Sequence, residues 1–227
     1  MIRTENLSKI FKVAEVETKA LKEINIAVEQ GEFVAVMGPS GCGKSTLLNI
    51  LGMLDVPTHG SYWFKGRNVA LLGDYQRTQL RKGKIGFVFQ SFNLIDELTI
   101  YENIELPLVY MKLKGAQRKQ LVNQALERMR ISHRRNNFPV QLSGGQQQRA
   151  AIARAVVANP ELILADEPTG NLDSVNGGEV MNLFAELNAD GTTIIMVTHS
   201  PTDADKANRI VQLFDGLVLS ENMRKAI

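Results

Sequence analysis

The sequence predicts an α/β fold, and three observations carry that expectation. Apolar runs of strand length recur along the 227-residue chain, one of them leads through a glycine-rich turn into a helix, and a long helical stretch interrupts the strands. Residues 1 to 30 read as short strands and turns, with Ala20 to Val28 partly alternating before Gln30-Gly31 turns the chain. Phe33-Val34-Ala35-Val36-Met37 is the next strand, a continuous apolar run of the kind buried on both faces. Beyond the glycine-rich turn, Ser45 to Leu51 reads as a helix. Pro57-Thr58-His59-Gly60 is a turn, and Ser61-Tyr62-Trp63-Phe64 and Lys84 to Phe89 are further strands. From Ser91 to about Val156 the period becomes helical. Leu121, Val122, Ala125, Leu126 and Met129 share one face there, while Arg118, Lys119, Glu127 and Arg128 are polar. Strands return at Leu162 to Ala165, Thr192 to Val197 and Arg209 to Phe214. The last continues through Asp215-Gly216 into Leu217-Val218-Leu219, a hairpin signature. The chain is read as a single domain, 1–227. Residues 1–90 and 157–227 are expected to form an α/β core, into which a helical subdomain of 91–156 is inserted.

Composition narrows the function. With 44% hydrophobic and 22% charged residues the chain is neither disordered nor membrane-embedded, and no apolar run nears the roughly 20 residues of a membrane span. Met1 to Glu5 opens no signal-peptide core, so a cytoplasmic setting is expected. No room for a regulatory domain is expected after the final hairpin. A single cysteine, Cys42, excludes an intrachain disulfide. The formal charge of +2 gives no support for a nucleic-acid partner, and none is expected.

Gly38-Pro39-Ser40-Gly41-Cys42-Gly43-Lys44-Ser45 fits the phosphate-loop pattern G-x-x-x-x-G-K-[ST] at every fixed position. The glycines let backbone N–H groups close around phosphates, Lys44 brings positive charge to the β- and γ-phosphates, and the Ser45 hydroxyl suits Mg²⁺. The strand before the loop and the helix after it place a helix dipole against the anion. Hydrolysis of a bound triphosphate also needs more metal ligation and a positioned water. Leu162-Ile163-Leu164-Ala165-Asp166-Glu167 is an apolar strand ending in two acids that suit those tasks. Asp166 would serve the Mg²⁺ shell and Glu167 would polarise water. Taken alone, the pair also fits an ordinary strand-to-loop turn.

Leu142-Ser143-Gly144-Gly145-Gln146 resembles the signature sequence of ATP-binding cassette (ABC) ATPases, and the order of landmarks along essentially the whole chain resembles that family too. The resemblance implies a P-loop NTPase, RecA-like core with an N-terminal antiparallel β subdomain and an inserted α-helical subdomain. It implies ATP and Mg²⁺ as cofactors and ATP hydrolysis as the activity. Phe11 resembles the aromatic that stacks on adenine, where tyrosine is more usual. Gly38, Ser40, Gly41, Cys42, Gly43, Lys44, Ser45 and Thr46 would hold the phosphates. Gln90 resembles the glutamine that contacts Mg²⁺ and water and acts as hinge to the helical lobe. Asn171-Leu172-Asp173 resembles the D-loop, with Asp173 near nucleotide, and His199 resembles the histidine that senses the γ-phosphate. Ser143, Gly144, Gly145 and Gln146 would cover the ATP of a second copy of the chain, so that two cassettes close head to tail.

Competing readings of single residues stay open at this level. Ser143 is also a plain N-cap for the helix that follows. His199 alone reads as a solvated turn histidine, Gln90 as a strand-end amide and Phe11 as a core aromatic. Cys42, beside a helix N-terminus, suggests a reactive thiol whose modification blocks ATP.

One copy of each motif and no heptad run resemble the separate nucleotide-binding subunit of a bacterial-type transporter. Leu98 to Leu108, Met37 to Ser40 through Asp55, and Asp166 to Asp173 resemble the branch with lipoprotein-releasing and macrolide-exporting ATPases. The resemblance implies a peripheral position on the cytoplasmic face of the inner membrane. It also implies a membrane permease partner with few helices and a large extracytoplasmic domain. Export of a lipoprotein, peptide or drug is then expected. The alternatives are a non-transporting mechanical complex like that of the cell-division ATPase and, more remotely, a soluble nucleic-acid-linked ATPase.

Overall fold

The computed structural model describes residues 1–13 and 16–223. In chain order the strands are β1 (Ile2–Val13), β2 (Val16–Ile24), β3 (Ala27–Val28), β4 (Phe33–Met37), β5 (His59–Phe64), β6 (Arg67–Asn68), β7 (Ile85–Phe89), β8 (Leu162–Asp166), β9 (Thr193–Thr198), β10 (Arg209–Phe214) and β11 (Leu217–Met223). The helices are α1 (Lys44–Leu51), α2 (Asp74–Arg81), α3 (Ile100–Tyr110), α4 (Gly115–Arg128), α5 (Gly144–Val156), α6 (Ser174–Ala189) and the short α7 (Pro201–Ala204). The chain divides into two compact units, one of Met1–Arg81 with Thr193–Ile227, the other of Lys82–Thr192.

The first unit holds two sheets. An antiparallel sheet runs β2-β1-β5-β6, with β3 also paired to β1. Its first strand is longer than the short strands read from sequence, because Asn6 (φ 48°) and shifts of register after Leu7 and Lys9 break the alternation. The other sheet places β4 between parallel neighbours β10 and β9, with β11 antiparallel on β10. Phe33 to Val36 and all of β9 are buried, as strands covered on both faces must be. Leu47, Leu48, Ile50 and Leu51 turn the apolar face of α1 inward. The buried Tyr62 of β5 donates to the Leu51 carbonyl at 2.6 Å, and burial pushes its hydroxyl pKa well up. That bond ties the antiparallel sheet to the end of α1.

In the second unit β7 and β8 pair in parallel; helices α3, α4 and α5 lie between them in the chain and α6 follows β8. Helix α3 starts at a capping box between Thr99 and Glu102. Behind it the fully buried Asn103 donates to the carbonyls of Ile95, Leu98 and Thr99 and accepts from the Ile95 N–H. Helix α5 buries Ile152 and four alanines, Ala150, Ala151, Ala153 and Ala155, whose small side chains allow close packing.

Candidate functional site

In the first unit the glycine-rich turn leaves the end of β4 and enters α1 at Gly43. Space requires Gly38 and Gly43, and a left-handed backbone (φ 80°) favours glycine at Gly41. A Cβ on Gly38 would lie 2.0 Å from the Leu213 carbonyl oxygen, and one on Gly43 (φ 103°) would lie 2.5 Å from that of Ala20. The β10–β11 hairpin adds a latch. Gly216 N–H donates to the Cys42 carbonyl at 3.1 Å, and Lys22 N–H donates to the Gly216 carbonyl at 2.7 Å.

Lys44 is only 6% exposed, and its Nζ donates to the carbonyls of Gly38 (2.8 Å) and Pro39 (2.9 Å). The cation is therefore curled over its own loop. Ser40, Gly41 and Ser45 are exposed and Thr46 half-buried. Gly43 gives α1 no side-chain cap, so an anion can take that role at the helix N-terminus. Cys42 corrects an expectation. Its thiol is 4% exposed, whereas reactive cysteines sit in partly exposed sites.

Phe11 is 42% exposed on β1, which overturns the core-aromatic reading. Lys9 Nζ stands 5.0 Å from its ring centroid while holding the Asp55 carboxylate (2.6 Å) and the Val56 carbonyl (2.8 Å). Such a cation–π contact steadies an exposed ring by about 0.5–1 kcal/mol. Lys9 escapes sequence reading because its partners lie 46 and 47 residues away. His199 is exposed directly after β9, ahead of α7, whose N-cap is Ser200.

In the second unit Gln90 and Glu167 leave adjacent strands at one level, since the register pairs Phe89 with Asp166. Glu167 has φ 44°, a left-handed conformation that costs on the order of 1–3 kcal/mol and collects at functional sites. Gln90 and Asn171 exchange two amide bonds, Nε2 to Oδ1 at 3.3 Å and Asn171 Nδ2 to the Gln90 carbonyl at 3.0 Å. The fully buried Gln148 of α5 donates to the carbonyl of Pro168, next to Glu167. Neither Asn171 nor Gln148 stands out in the sequence as a support of these groups. The available signal for Gln148 is a polar residue on the apolar side of α5.

Ser143 is the N-cap of α5, as its plainer reading requires. Its Oγ accepts from Gln146 N–H (3.4 Å), and Gln146 Oε1 accepts from Ser143 N–H (3.2 Å). The exposed hydroxyl keeps its own proton for a further acceptor. Gly145 is fixed by packing, because a Cβ there would lie 2.3 Å from Asn176 Oδ1. Gly144 is different. A Cβ there meets nothing nearer than 3.5 Å, so internal packing does not account for that glycine. Asp173 N-caps α6, accepting the Asn176 N–H at Oδ1 (2.9 Å) and the Asn176 amide at Oδ2 (2.7 Å). The backbone bond, then the side-chain bond, hold its carboxyl below the usual carboxylate range. Both oxygens of a residue expected near nucleotide are thus engaged by its own helix.

A phosphate loop on a buried parallel strand, an acidic strand end and a Ser-Gly-Gly helix start define an ABC cassette. The family model described as ABC transporter matches residues 21–170, and the chain belongs to that family as an ATPase, its ATP-binding subunit. It is 49% identical over 219 residues to MJ1508 of Methanocaldococcus jannaschii, an uncharacterised ABC transporter ATP-binding protein, covering 96% of this chain and 98% of that one. It is 45% identical over 221 residues to the macrolide export ATP-binding/permease protein MacB of Bartonella henselae, covering 97% of this chain but 34% of MacB. Among solved structures it resembles the dimeric post-hydrolysis state of the ATP-binding cassette MJ0796 bound to ADP and Pi, with a TM-score of 0.92 and 44% identity over the whole of both chains. A second dimeric MJ0796 structure, a bacterial ABC transporter cassette, aligns with a TM-score of 0.93 at 45% identity, again over both whole chains.

Proposed function

We propose that this chain is one half of an ATP-driven pair that works on a separate membrane protein in export or extraction of a lipoprotein, peptide or drug. The observation that carries the pairing is Gly144. Beside an exposed Ser143 hydroxyl at the start of α5, it is a glycine that the chain's own packing does not require. A bare helix start of that kind suits the γ-phosphate of an ATP held by a second copy. The dimeric MJ0796 structures support this reading.

Lys44 and the loop amides would hold the phosphates, with Ser45, Asp166 and Gln90 as ligands for Mg²⁺. The donor set fits the ion, since a hydroxyl, a carboxylate and an amide oxygen are the hard ligands Mg²⁺ takes. The metal would neutralise phosphate charge. Glu167 would orient water and accept its proton, while His199 would donate to the γ-phosphate. The helical subdomain of 91–156 would turn about Gln90 when nucleotide binds. Asp173 would serve by holding the start of α6 rather than by touching nucleotide.

Among the described residues no helix is long and apolar enough to cross a membrane. A permease with an extracytoplasmic domain, reached from the cytoplasmic face of the inner membrane, would therefore supply the membrane path. MacB, named as both ATP-binding protein and permease, supports such a pairing of parts. The test is co-purification from membranes, with ATPase measured in the reconstituted complex. Stimulation by a membrane protein is expected. ATPase stimulated by DNA, with no membrane protein recovered, would overturn the reading.

Phe11→Ala should raise the KM for ATP about tenfold with kcat little changed, the size of one base-stacking contact. Phe11→Tyr should keep the wild-type KM. Steady-state kinetics check both, and an unchanged KM in the alanine variant would remove Phe11 from the site.

A further inference from the structure

Arg154, in the last turn of α5, reaches the loop that follows Gln90. Its Nη1 donates to the Asn93 carbonyl at 2.5 Å and its Nη2 to the Phe92 carbonyl at 3.0 Å. Phe92 (φ 60°) and Asn93 (φ 52°) are both left-handed, a conformation that asparagine takes more readily than most residues but that is unfavourable for a bulky phenylalanine. The turn is tight, with Asn93 N–H donating to the Ser91 carbonyl at 2.6 Å. Asn103 pins the far end of the segment at Ile95 and Leu98. Arg154 pins the near end, next to Gln90. The guanidinium is partly buried, which lowers its pKa, and the two carbonyls stand in for part of its hydration. A planar fork gives each of two successive carbonyls its own nitrogen, whereas a lysine brings a single nitrogen that both must share.

We propose that Arg154 is a positioning residue, which fixes the left-handed Phe92–Asn93 turn and through it the aim of the Gln90 side chain. Its consequence for turnover rests on the proposed role of Gln90 as ligand for metal and water. Its consequence for the loop does not.

The two are separated by measuring both on the full chain. In Arg154→Met, amide exchange across 90–98 should speed by about tenfold or more, as local opening becomes easier, while exchange across 144–156 stays as in wild type. In Arg154→Lys, which keeps the charge but offers one nitrogen in place of two, a smaller acceleration of about threefold is expected and serves if the methionine variant fails to fold. The kcat of Arg154→Met should fall about tenfold with the KM for ATP within about twofold. On a Gln90→Ala background the same substitution should cost nothing further, because residues acting through one another are not additive.

Wild-type exchange across 90–98 in Arg154→Met, or in Arg154→Lys where only that variant folds, would overturn the proposal. So would a full second loss of kcat on the Gln90→Ala background. A Gln90→Ala variant with normal kcat would instead overturn the role given to Gln90, and the exchange result would then decide the case of Arg154 alone.

Discussion

Glu167→Gln should bind ATP with near-wild-type affinity, accumulate as an ATP-bound dimer and hydrolyse about 10²- to 10⁴-fold more slowly, the range a general base contributes. The substitution keeps size and hydrogen-bonding reach but cannot accept a proton from water. Glu167 lies past the end of β8 with its backbone held at φ 44°. The amide therefore occupies the same strained position, and the change is confined to chemistry. Lys44 and the phosphate loop are untouched, so affinity remains. Phosphate release and size-exclusion chromatography with ATP measure the two halves of this result. Near-normal phosphate release would remove Glu167 from the reaction.

Ser143→Arg should bind ATP within about twofold of wild type as a monomer, fail to dimerise and lose turnover by about 10²-fold or more, since each chain would lack the cover of its partner. Two changes act together in that variant, and they need separating. The capping bond from Gln146 N–H is lost, which costs about 1 kcal/mol of stability. A long cation also enters an exposed position beside Gly144. Ser143→Ala loses the cap without the bulk, and Ser143→Thr keeps the cap. If the role is to meet a phosphate, Ser143→Thr should dimerise and Ser143→Arg should not, with Ser143→Ala between them. An ATP-bound dimer of Ser143→Arg, seen by sedimentation, would contradict the cross-subunit role.

Contiguous motifs were legible because their chemistry depends on neighbours in sequence. The phosphate loop, Ser143 to Gln146 and the Asp166-Glu167 pair are each fixed by spacings of a few residues, and the hairpin at Asp215-Gly216 is likewise local. Other features depend on distant partners. Helix α6 is hidden by Asn176-Gly177-Gly178 in its first turn, poor helix formers tolerated because Asp173 caps them and Gly177 is buried. Helix α2 buries no side chain, so it has no apolar face to read. Lys9 and Arg154 bond to groups some 46 to 62 residues away, several of them backbone carbonyls that any sequence supplies. Asp173 is legible as part of a motif, while the use of its carboxylate as the cap of α6 depends on the fold.

Lys44 bears on the thermodynamics of ligand capture. A lysine side chain free in water carries about 2 kcal/mol of rotamer entropy, which a binding event must normally remove. Here Nζ already rests between the Gly38 and Pro39 carbonyls. Recognition of a triphosphate then becomes an exchange of acceptors, two neutral dipoles for anionic oxygens, with much of the ordering completed when the chain folded. Less side-chain entropy should therefore be lost on binding than a lysine free in water would lose, and the loop acts less like a hand that closes than like a socket already set.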